Sequence, residues 1–173
     1  MIKIGQPAPN FSNIIAYQAG KEDFMRISLE DYRGKWLVFF FYPADFTFVC
    51  PTELREFAKH ADDFSDEGAQ ILAASTDGEH AHAAWFGRDL PQVKYPILAD
   101  RTQDVTRSYE VLETDGTAQR GTFIIDPDGV VRYIIVSDNS VGRSVKETLR
   151  VLMALKTGEL CPIEWEKGDK TLS

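Results

Sequence analysis

The chain contains two cysteines, and the first of them, Cys50, stands in a segment whose residue order favours thiol chemistry. Pro51 follows Cys50 directly, and proline is favoured in the first turn of a helix, so Cys50 is predicted at or beside a helix N-terminus. Free backbone N–H groups and the positive end of the helix dipole favour an anion there, such as a thiolate. The position therefore predicts a pKa below the value of about 8.5 of a free cysteine. A packed apolar cysteine is the alternative, and position alone leaves the two interpretations at even odds.

The elements around Cys50 are predicted from the pattern of apolar residues. Residues 35–43, KWLVFFFYP, have the composition of a strand buried on both faces of a sheet and stop at Pro43. Residues 51–68 place apolar side chains at helical spacing, and Gly68 ends that predicted helix. A second buried strand is predicted over 69–76. This order places Cys50 between the end of a strand and the start of a helix.

Helices and strands also alternate in the rest of the chain. The turn-forming stretch DPDG separates two apolar runs and predicts a hairpin over 121–136. Ser144 with Glu147 three residues later resembles a capping box, and the helix that follows is predicted to end at Gly158. Two weaker helical patterns cover 79–88 and 102–110, and the first thirty-odd residues predict irregular or hairpin structure.

These patterns predict an α/β fold with a central mixed β-sheet flanked by helices. At 43% hydrophobic residues, the chain can build one core, so we expect a single domain over 1–173 with 157–173 as a tail that carries Cys161. The net charge of −8 argues against nucleic acid as a partner. No apolar stretch has the length of a membrane span or a signal peptide, so we expect no membrane association and a cytoplasmic location. Cytoplasmic thiols are normally reduced, which disfavours a permanent disulfide but allows a transient, catalytic one.

The segment FYPADFTFVCPTEL (41–54) spaces Pro43, Thr47 and Cys50 as PxxxTxxC, which resembles the active-site motif of the peroxiredoxins. The resemblance is to the alkyl hydroperoxide reductase C and typical 2-Cys group. It continues through GQPAPNF, ASTDGEHAHAAW, YPILAD, RGTFIIDPDG, VGRSVKETLR and GELCPIEWEKG. It implies the peroxiredoxin variant of the thioredoxin-like fold and a thiol-dependent peroxidase for hydrogen peroxide and organic hydroperoxides. Antioxidant defence without a cofactor is the implied role.

The resemblance also implies a role for each residue of the site. The Cys50 thiolate would attack the hydroperoxide and become a sulfenic acid. Thr47 and Arg120 would supply hydrogen-bond donors for the departing oxygen, and Pro43 would shield the sulfur. The alternatives are a locally satisfied hydroxyl for Thr47, a surface charge for Arg120 and a simple strand terminator for Pro43.

Three further residues match positions of the family near the site. Glu53 and Arg143 would belong to a network in which a glutamate ties the arginines together, with exposed helix charges as the alternative. Trp85 resembles a family tryptophan, and core packing explains it equally well.

The second cysteine, Cys161, matches the resolving cysteine of the family. It would attack the sulfenic acid of Cys50 to form a disulfide, usually across an antiparallel homodimer, and such dimers commonly form decamers. Because a buried Cys50 cannot reach a distant tail, the cycle requires local unfolding at the start of its helix. A thioredoxin-like protein or a flavoprotein disulfide reductase would then reduce the disulfide by exchange.

Two departures from the family pattern bear on this cycle. The segment before Cys161 is a few residues shorter than the family leads us to expect, so the interchain geometry stays open. The Gly-Gly-Leu-Gly insertion and the terminal Tyr-Phe pair are both absent from the sequence. Their absence predicts an enzyme of bacterial type that resists inactivation by excess peroxide.

Other functions are weighed against this one. A metal site is disfavoured, because His80 and His82 point in different directions on a helix and no zinc-ligand spacing occurs. A thioredoxin-type reductase needs C-x-x-C, and Thr47 stands where the other cysteine would be. A holdase chaperone or a peroxide sensor stays open.

Overall fold

A computed structural model describes all of residues 1–173, which form seven strands and five α-helices. The strands are β1 (Ile14–Tyr17), β2 (Met25–Ile27), β3 (Trp36–Phe41), β4 (Ala69–Ser75), β5 (Ile97–Ala99), β6 (Arg120–Ile125) and β7 (Val131–Ser137). The α-helices are α1 (Cys50–Lys59), α2 (Ala61–Asp66), α3 (Glu79–Asp89), α4 (Asp104–Ser108) and α5 (Val145–Thr157). A short 3₁₀ helix spans Leu29–Tyr32.

All seven strands belong to one sheet, in the order β2-β1-β5-β4-β3-β6-β7. The pairs β3–β4 and β4–β5 are parallel, and the other neighbouring pairs are antiparallel. The parallel connections run through helices, as a parallel crossover requires. The predicted α/β fold with a mixed central sheet and flanking helices is therefore confirmed.

The central strand β3 explains why its sequence is apolar throughout. Its side chains alternate between two core clusters, one on each face of the sheet. Val38 and Phe40 pack with α1 and α5 on one face, and Phe39 and Phe41 pack with Tyr109 and Phe123 on the other. This arrangement confirms the predicted strand buried on both faces, and it delivers the following loop and Cys50 to the end of the sheet.

The predicted helix 51–68 is wrong in one respect, because the structure divides it at His60 into α1 and α2. Backbone bonds continue on both sides, from His60 N to Glu56 O (3.2 Å) and from Phe64 N to His60 O (3.1 Å), so the division is a kink. The His60 ring contacts Glu56 on one side and Asp63 on the other, which stabilises the kink. Helical periodicity of apolar residues does not detect such a contact.

Other boundaries follow the sequence more closely. The hairpin β6–β7, the strand β4, the helix α3 and the end of α5 at Gly158 (φ +68°) agree with their predictions. The pattern over 102–110 shortens to α4, whose start is held by the Asp100 carboxylate through the N–H groups of Val105 and Thr106. The capping box is half formed: Ser144 accepts from the Glu147 N–H, but the Glu147 carboxylate bonds Arg150.

The longest helix, α5, has 13 residues. None of the helices has the length and apolar content that crossing a bilayer requires.

Candidate active site

Cys50 is the first residue of α1 and has no exposed surface. The loop 42–49 brings it from the end of β3, and its neighbours Leu54 and Tyr42 belong to the same apolar cluster. The N–H groups of Thr52 and Glu53, in the first turn of α1, donate to the Val49 carbonyl oxygen at 3.0 and 3.4 Å rather than to the sulfur. The cysteine is therefore buried among apolar side chains, and any charge on its sulfur needs a partner from elsewhere in the chain.

Arg120 is that partner. It is the first residue of β6, and its side chain is only 3% exposed. Its Nη1 donates to Cys50 Sγ at 3.4 Å and to Glu53 Oε2 at 2.8 Å. Its Nε donates to the Asn139 carbonyl oxygen at 2.9 Å, which fixes the other edge of the guanidinium. The structure thus places Arg120 in the site and against the sulfur, not on the surface.

Glu53 and Arg143 complete the polar cluster. Arg143 donates from Nε to Glu53 Oε1 (2.9 Å) and from Nη2 to Oε2 (2.7 Å), and its backbone N–H also donates to Oε1 (2.8 Å). Burial alone would raise the pKa of the Glu53 carboxyl, but the hydrogen bonds and charge of Arg143, with the charge of Arg120, lower it below its usual value. Glu53 is therefore ionised. The side chains of Glu53 and Arg143 are 1% and 2% exposed, which excludes the interpretation as exposed helix charges.

The charges of this buried cluster do not cancel. Two guanidinium groups, Arg120 and Arg143, face one carboxylate, Glu53, so the cluster has one positive charge in excess. Buried charges are costly unless they are balanced within contact distance. A negative charge on the Cys50 sulfur, 3.4 Å from Arg120 Nη1, would balance the cluster.

Thr47 and Pro43 lie in the loop before Cys50, and both are half-buried. The Thr47 hydroxyl donates to the Ala44 carbonyl oxygen at 2.8 Å, so its hydrogen is not directed at the sulfur. A hydroxyl that donates once still has lone pairs with which to accept. Pro43 lies two residues after Phe41, the last residue of β3, which agrees with the interpretation of Pro43 as a strand terminator.

Trp85 is buried in the same apolar cluster as Cys50. Its ring lies 5.8 Å from that of Phe46 and 6.4 Å from that of Tyr42, both in the loop that leads to Cys50. Trp85, in α3, therefore packs against this loop.

Cys161 has different neighbours from Cys50. It follows the end of α5, is half-buried, and lies 3.4 Å from Thr157 Oγ1 and 3.7 Å from the Ala154 carbonyl oxygen. Both cysteines are free. The tail around Cys161 is held by the buried Trp165, whose carbonyl oxygen accepts from Arg150, and by Lys167, which pairs with Glu67. The structure therefore does not bring Cys50 and Cys161 together within one chain.

The two histidines of α3 are in separate environments. His80 lies edge-on to the Phe24 ring, at 5.1 Å between ring centroids. His82 is fully buried, and its Nδ1 lies 2.7 Å from Asp45 Oδ2. No group of three or more histidine, cysteine or acidic side chains in the chain could hold a metal ion.

Sequence reasoning missed the roles of three residues in this region. Asn139 holds Arg120 through a backbone carbonyl, which leaves no trace in the residue type. The buried pair Asp45–His82 joins the loop to α3, and its only sequence signal is an acidic residue inside the PxxxTxxC segment.

The sheet and the placement of the thiol define the class of the protein. A solved structure of a Plasmodium vivax 2-Cys peroxiredoxin in the reduced state matches with a TM-score of 0.92 at 32% identity, over 97% of this chain and 91% of that one. The fold is therefore that of the peroxiredoxins, which is thioredoxin-like, and the class is a thiol peroxidase.

The family follows from the sequence comparisons. The model of the AhpC/TSA family matches residues 4–134. An alkyl hydroperoxide reductase C from Mycolicibacterium smegmatis is 45% identical over 152 residues, covering 87% of this chain and 78% of its own. A thioredoxin peroxidase from Trypanosoma brucei rhodesiense is 44% identical over 180 residues, covering 98% of this chain and 89% of its own. The chain belongs to the AhpC/TSA family and is a 2-Cys peroxiredoxin of the AhpC type.

This membership confirms the predicted activity. The protein is a thiol-dependent peroxidase of antioxidant defence, with a peroxide as substrate and a reductase as partner.

Proposed function

We propose that Cys50 is the peroxidatic nucleophile of this peroxidase. The observation that carries the proposal is the 3.4 Å contact of Arg120 Nη1 with Cys50 Sγ, which gives an otherwise apolar thiol a cationic donor. The sulfur anion attacks the outer oxygen of the hydroperoxide, the O–O bond breaks, and the outer oxygen stays on sulfur as a sulfenic acid. The inner oxygen leaves as an alkoxide or hydroxide, and takes a proton to become an alcohol or water.

Arg120 and Thr47 are the groups that we place around the reacting oxygens. The guanidinium of Arg120 stabilises the sulfur anion before the attack and the negative charge on the departing oxygen during it. Because the Thr47 hydroxyl donates to Ala44, it serves as an acceptor for the O–H of the hydroperoxide. This changes the sequence expectation, in which Thr47 was a donor. Pro43 shields the sulfur from water at the end of β3.

Glu53 and Arg143 act one step further from the sulfur. Glu53 accepts from both arginines and thereby fixes the Nη1 of Arg120 between carboxylate and sulfur. Arg143 is anchored by the Gly121 carbonyl oxygen at 3.0 Å, and its guanidinium lies 5.0 Å above the Phe40 ring. The pair holds Arg120 in place without touching the substrate.

We infer that Cys161 is the resolving cysteine. Its thiol attacks the sulfenic acid, the S–O bond breaks, and water leaves as a disulfide with Cys50 forms. Because the two thiols make no contact with each other within one chain, we assign the disulfide to two chains of a homodimer, with decamers built from such dimers. The start of α1 and the tail 157–173 must both loosen for the sulfurs to meet. Residues 1–173 otherwise act as a single domain.

The disulfide is then reduced by exchange with a dithiol protein. A thioredoxin-like protein and a flavoprotein disulfide reductase both supply the two electrons that are required. Reduction by this exchange suits a reducing compartment, so we assign the protein to the cytoplasm.

Steady-state peroxide consumption with a thioredoxin system and with a flavoprotein reductase tests the function. The parent is expected to consume peroxide with at least one of them. The Cys50→Ser variant is expected to lose consumption by about 1,000-fold or more, the loss caused by removing a nucleophile. Consumption by Cys50→Ser at the parental rate would refute the assignment of Cys50.

A further inference from the structure

The loop 42–49 is joined to the rest of the fold by buried polar side chains. The Tyr42 hydroxyl donates to Asp45 Oδ1 at 2.7 Å. The other carboxylate oxygen, Oδ2, lies 2.7 Å from Nδ1 of His82 in α3. The side chain of Asp45 is 1% exposed and that of His82 is fully buried. This is a second buried polar cluster, and the peroxidase chemistry described above does not use it.

The acceptors around His82 show where its ring hydrogens lie. Nε2 lies 3.0 Å from the Leu98 carbonyl oxygen, which can only accept, so Nε2 carries a hydrogen. Nδ1 faces the Asp45 carboxyl, and one hydrogen must lie between them for a contact of 2.7 Å. Asp45 and His82 therefore share one hydrogen along this contact, which joins the loop to α3.

Tyr42 remains a donor in this cluster. Its burial, followed by the charge of Asp45 and the hydrogen bond to it, raises the pKa of the Tyr42 phenol well above its usual value. The hydrogen therefore stays on the phenol oxygen. Both oxygens of Asp45 are then satisfied, Oδ1 by Tyr42 and Oδ2 by His82.

The backbone at Asp45 is held as firmly as its side chain. The Asp45 N–H donates to Asp77 Oδ2 at 2.9 Å, and the same oxygen accepts from the Ser75 hydroxyl at 2.7 Å. Asp77 follows β4, so the loop is tied to the sheet as well as to α3.

One peptide unit connects this cluster to the active site. The N–H of Asp45 and the C=O of Ala44 belong to the same planar group, so fixing one end fixes the direction of the other. The N–H end bonds Asp77, and the C=O end accepts from the Thr47 hydroxyl at 2.8 Å. The direction of the Ala44 carbonyl therefore decides where the lone pairs of Thr47 point.

We propose that the hydrogen-bonded pair Asp45–His82 and Asp77 are positioning residues, which hold the Ala44–Asp45 peptide and thereby orient the Thr47 hydroxyl toward the hydroperoxide. The inference rests on the proposed roles of Cys50 and Thr47. None of the three side chains touches the sulfur. Their effect is on the alignment of the substrate oxygen, because small displacements of aligned groups have large effects on rate.

The test compares two reactions of Cys50 in a Cys161→Ser background, each measured by stopped flow. Hydrogen peroxide requires an aligned Thr47, whereas alkylation by iodoacetamide requires only the sulfur. Asp45→Ala is expected to lower the peroxide rate constant by about 10-fold to 100-fold, the range expected for a misaligned substrate, while alkylation stays the same or becomes faster. Asp45→Asn is expected to recover most of the peroxide rate, because the amide can accept from Tyr42 and donate to a neutral His82.

Asp100→Ala is the matched control. Asp100 is an equally buried carboxylate that accepts from Thr106 and Val105, away from the loop. This variant is expected to lose thermal stability and to keep the parental ratio of peroxide rate to alkylation rate. If Asp45→Ala keeps the parental ratio of peroxide rate to alkylation rate, whether both rates fall together or neither changes, the proposal is wrong.

A double-mutant cycle identifies the route. Thr47→Val removes the hydroxyl, so Asp45→Ala in that background should have little further effect on the peroxide rate. Independent, additive losses would overturn a route through Thr47. Should Asp45→Ala fail to fold, Asp77→Ala releases the N–H of the same peptide from a half-buried position and is subject to the same cycle. The Cys50→Ser variant distinguishes failure of the proposed function from failure of the positioning role. Peroxide consumption by Cys50→Ser would refute the proposed function, whereas a parental ratio of the two rates in the loop variants would refute only the positioning role.

Discussion

Arg143 and Glu53 form a two-point ion pair inside the protein, with Nε 2.9 Å from Oε1 and Nη2 2.7 Å from Oε2. The two residues are 90 positions apart in the chain, and both side chains are almost completely buried. Their pairing leaves the second arginine of the cluster, Arg120, free to direct Nη1 at both Glu53 and the Cys50 sulfur. The position of Arg120 beside the sulfur is therefore fixed in part by Glu53, a carboxylate that contacts both arginines.

Removal of the carboxylate is expected to destabilise the fold. Glu53→Gln leaves two buried guanidinium groups without their carboxylate partner and should lower the free energy of unfolding by about 3 kcal/mol, the order found when a buried ion pair is broken. Urea denaturation at pH 7 measures it. Glu67→Gln is the control, because Glu67 pairs with Lys156 and Lys167 nearer the surface and should lose about 1 kcal/mol or less. Equal losses in the two variants would contradict the role of Glu53.

The same pair predicts how stability depends on pH. The pKa of Glu53 is lowered in the folded protein from a usual value of about 4.5, so the unfolded chain binds its proton at a higher pH than the folded protein does. The stabilisation by the ionised carboxylate is therefore complete above about pH 4.5 and is lost as the pH falls through the lower, folded value. The difference in unfolding free energy between the parent and Glu53→Gln should be constant from pH 7 to 5 and shrink toward pH 3. A difference that does not change over this range would show that Glu53 gains nothing from ionisation.

The planar guanidinium of Arg120, with its several donors, is expected to matter more for the rate with peroxide than its positive charge alone. Lysine in its place keeps a positive charge but cannot contact the sulfur, Glu53 and the Asn139 carbonyl oxygen at once. Arg120→Lys should lower the rate constant with hydrogen peroxide by about 100-fold, the order found for losing one preorganised donor. Arg132→Lys, at an exposed arginine that pairs with Asp126 outside the Cys50 cluster, should keep the parental rate. A parental rate for Arg120→Lys would mean that a diffuse positive charge is sufficient.

The resolving role that we propose for Cys161 predicts a covalent dimer. After one equivalent of hydrogen peroxide, the parent should migrate as a dimer on a non-reducing gel, and Cys161→Ser should remain a monomer with a sulfenic acid on Cys50. A monomer band with an internal disulfide, detected by peptide mapping, would place the disulfide within one chain. It would leave the chemistry of Cys50 untouched.

The elements that the sequence predicted best are those whose structure follows from one local feature of the sequence. The run KWLVFFFYP has no polar residue on either face between Trp36 and Phe41, so β3 could only be a buried strand. Pro51 marked the start of α1, and the DPDG turn marked the β6–β7 hairpin. The strand β5, with three residues, was too short for any periodicity to show.

The residues around Cys50 could be singled out from the sequence, but their geometry only in part. The motif and the resemblance singled out Arg120, Glu53 and Arg143, and the structure brings all three together with Cys50. The direction of the Thr47 hydroxyl depends on the backbone of Ala44, which no residue type records. In the sequence, His82 was considered only as a metal ligand, and that interpretation was disfavoured. Its buried contact with Asp45 could not be predicted, because the two residues are 37 positions apart in the chain.

Trapping of the first oxidation product distinguishes the two thiols. Reduced parent protein is mixed with a sub-stoichiometric amount of hydrogen peroxide for a few milliseconds, quenched with a sulfenic-acid reagent, and mapped by mass spectrometry. The label is expected on Cys50, the thiol that Arg120 contacts, and Cys161 should carry almost none. Label that appears first on Cys161, or equally on both cysteines, would contradict the proposal that Arg120 makes the buried sulfur of Cys50 the one that reacts with peroxide.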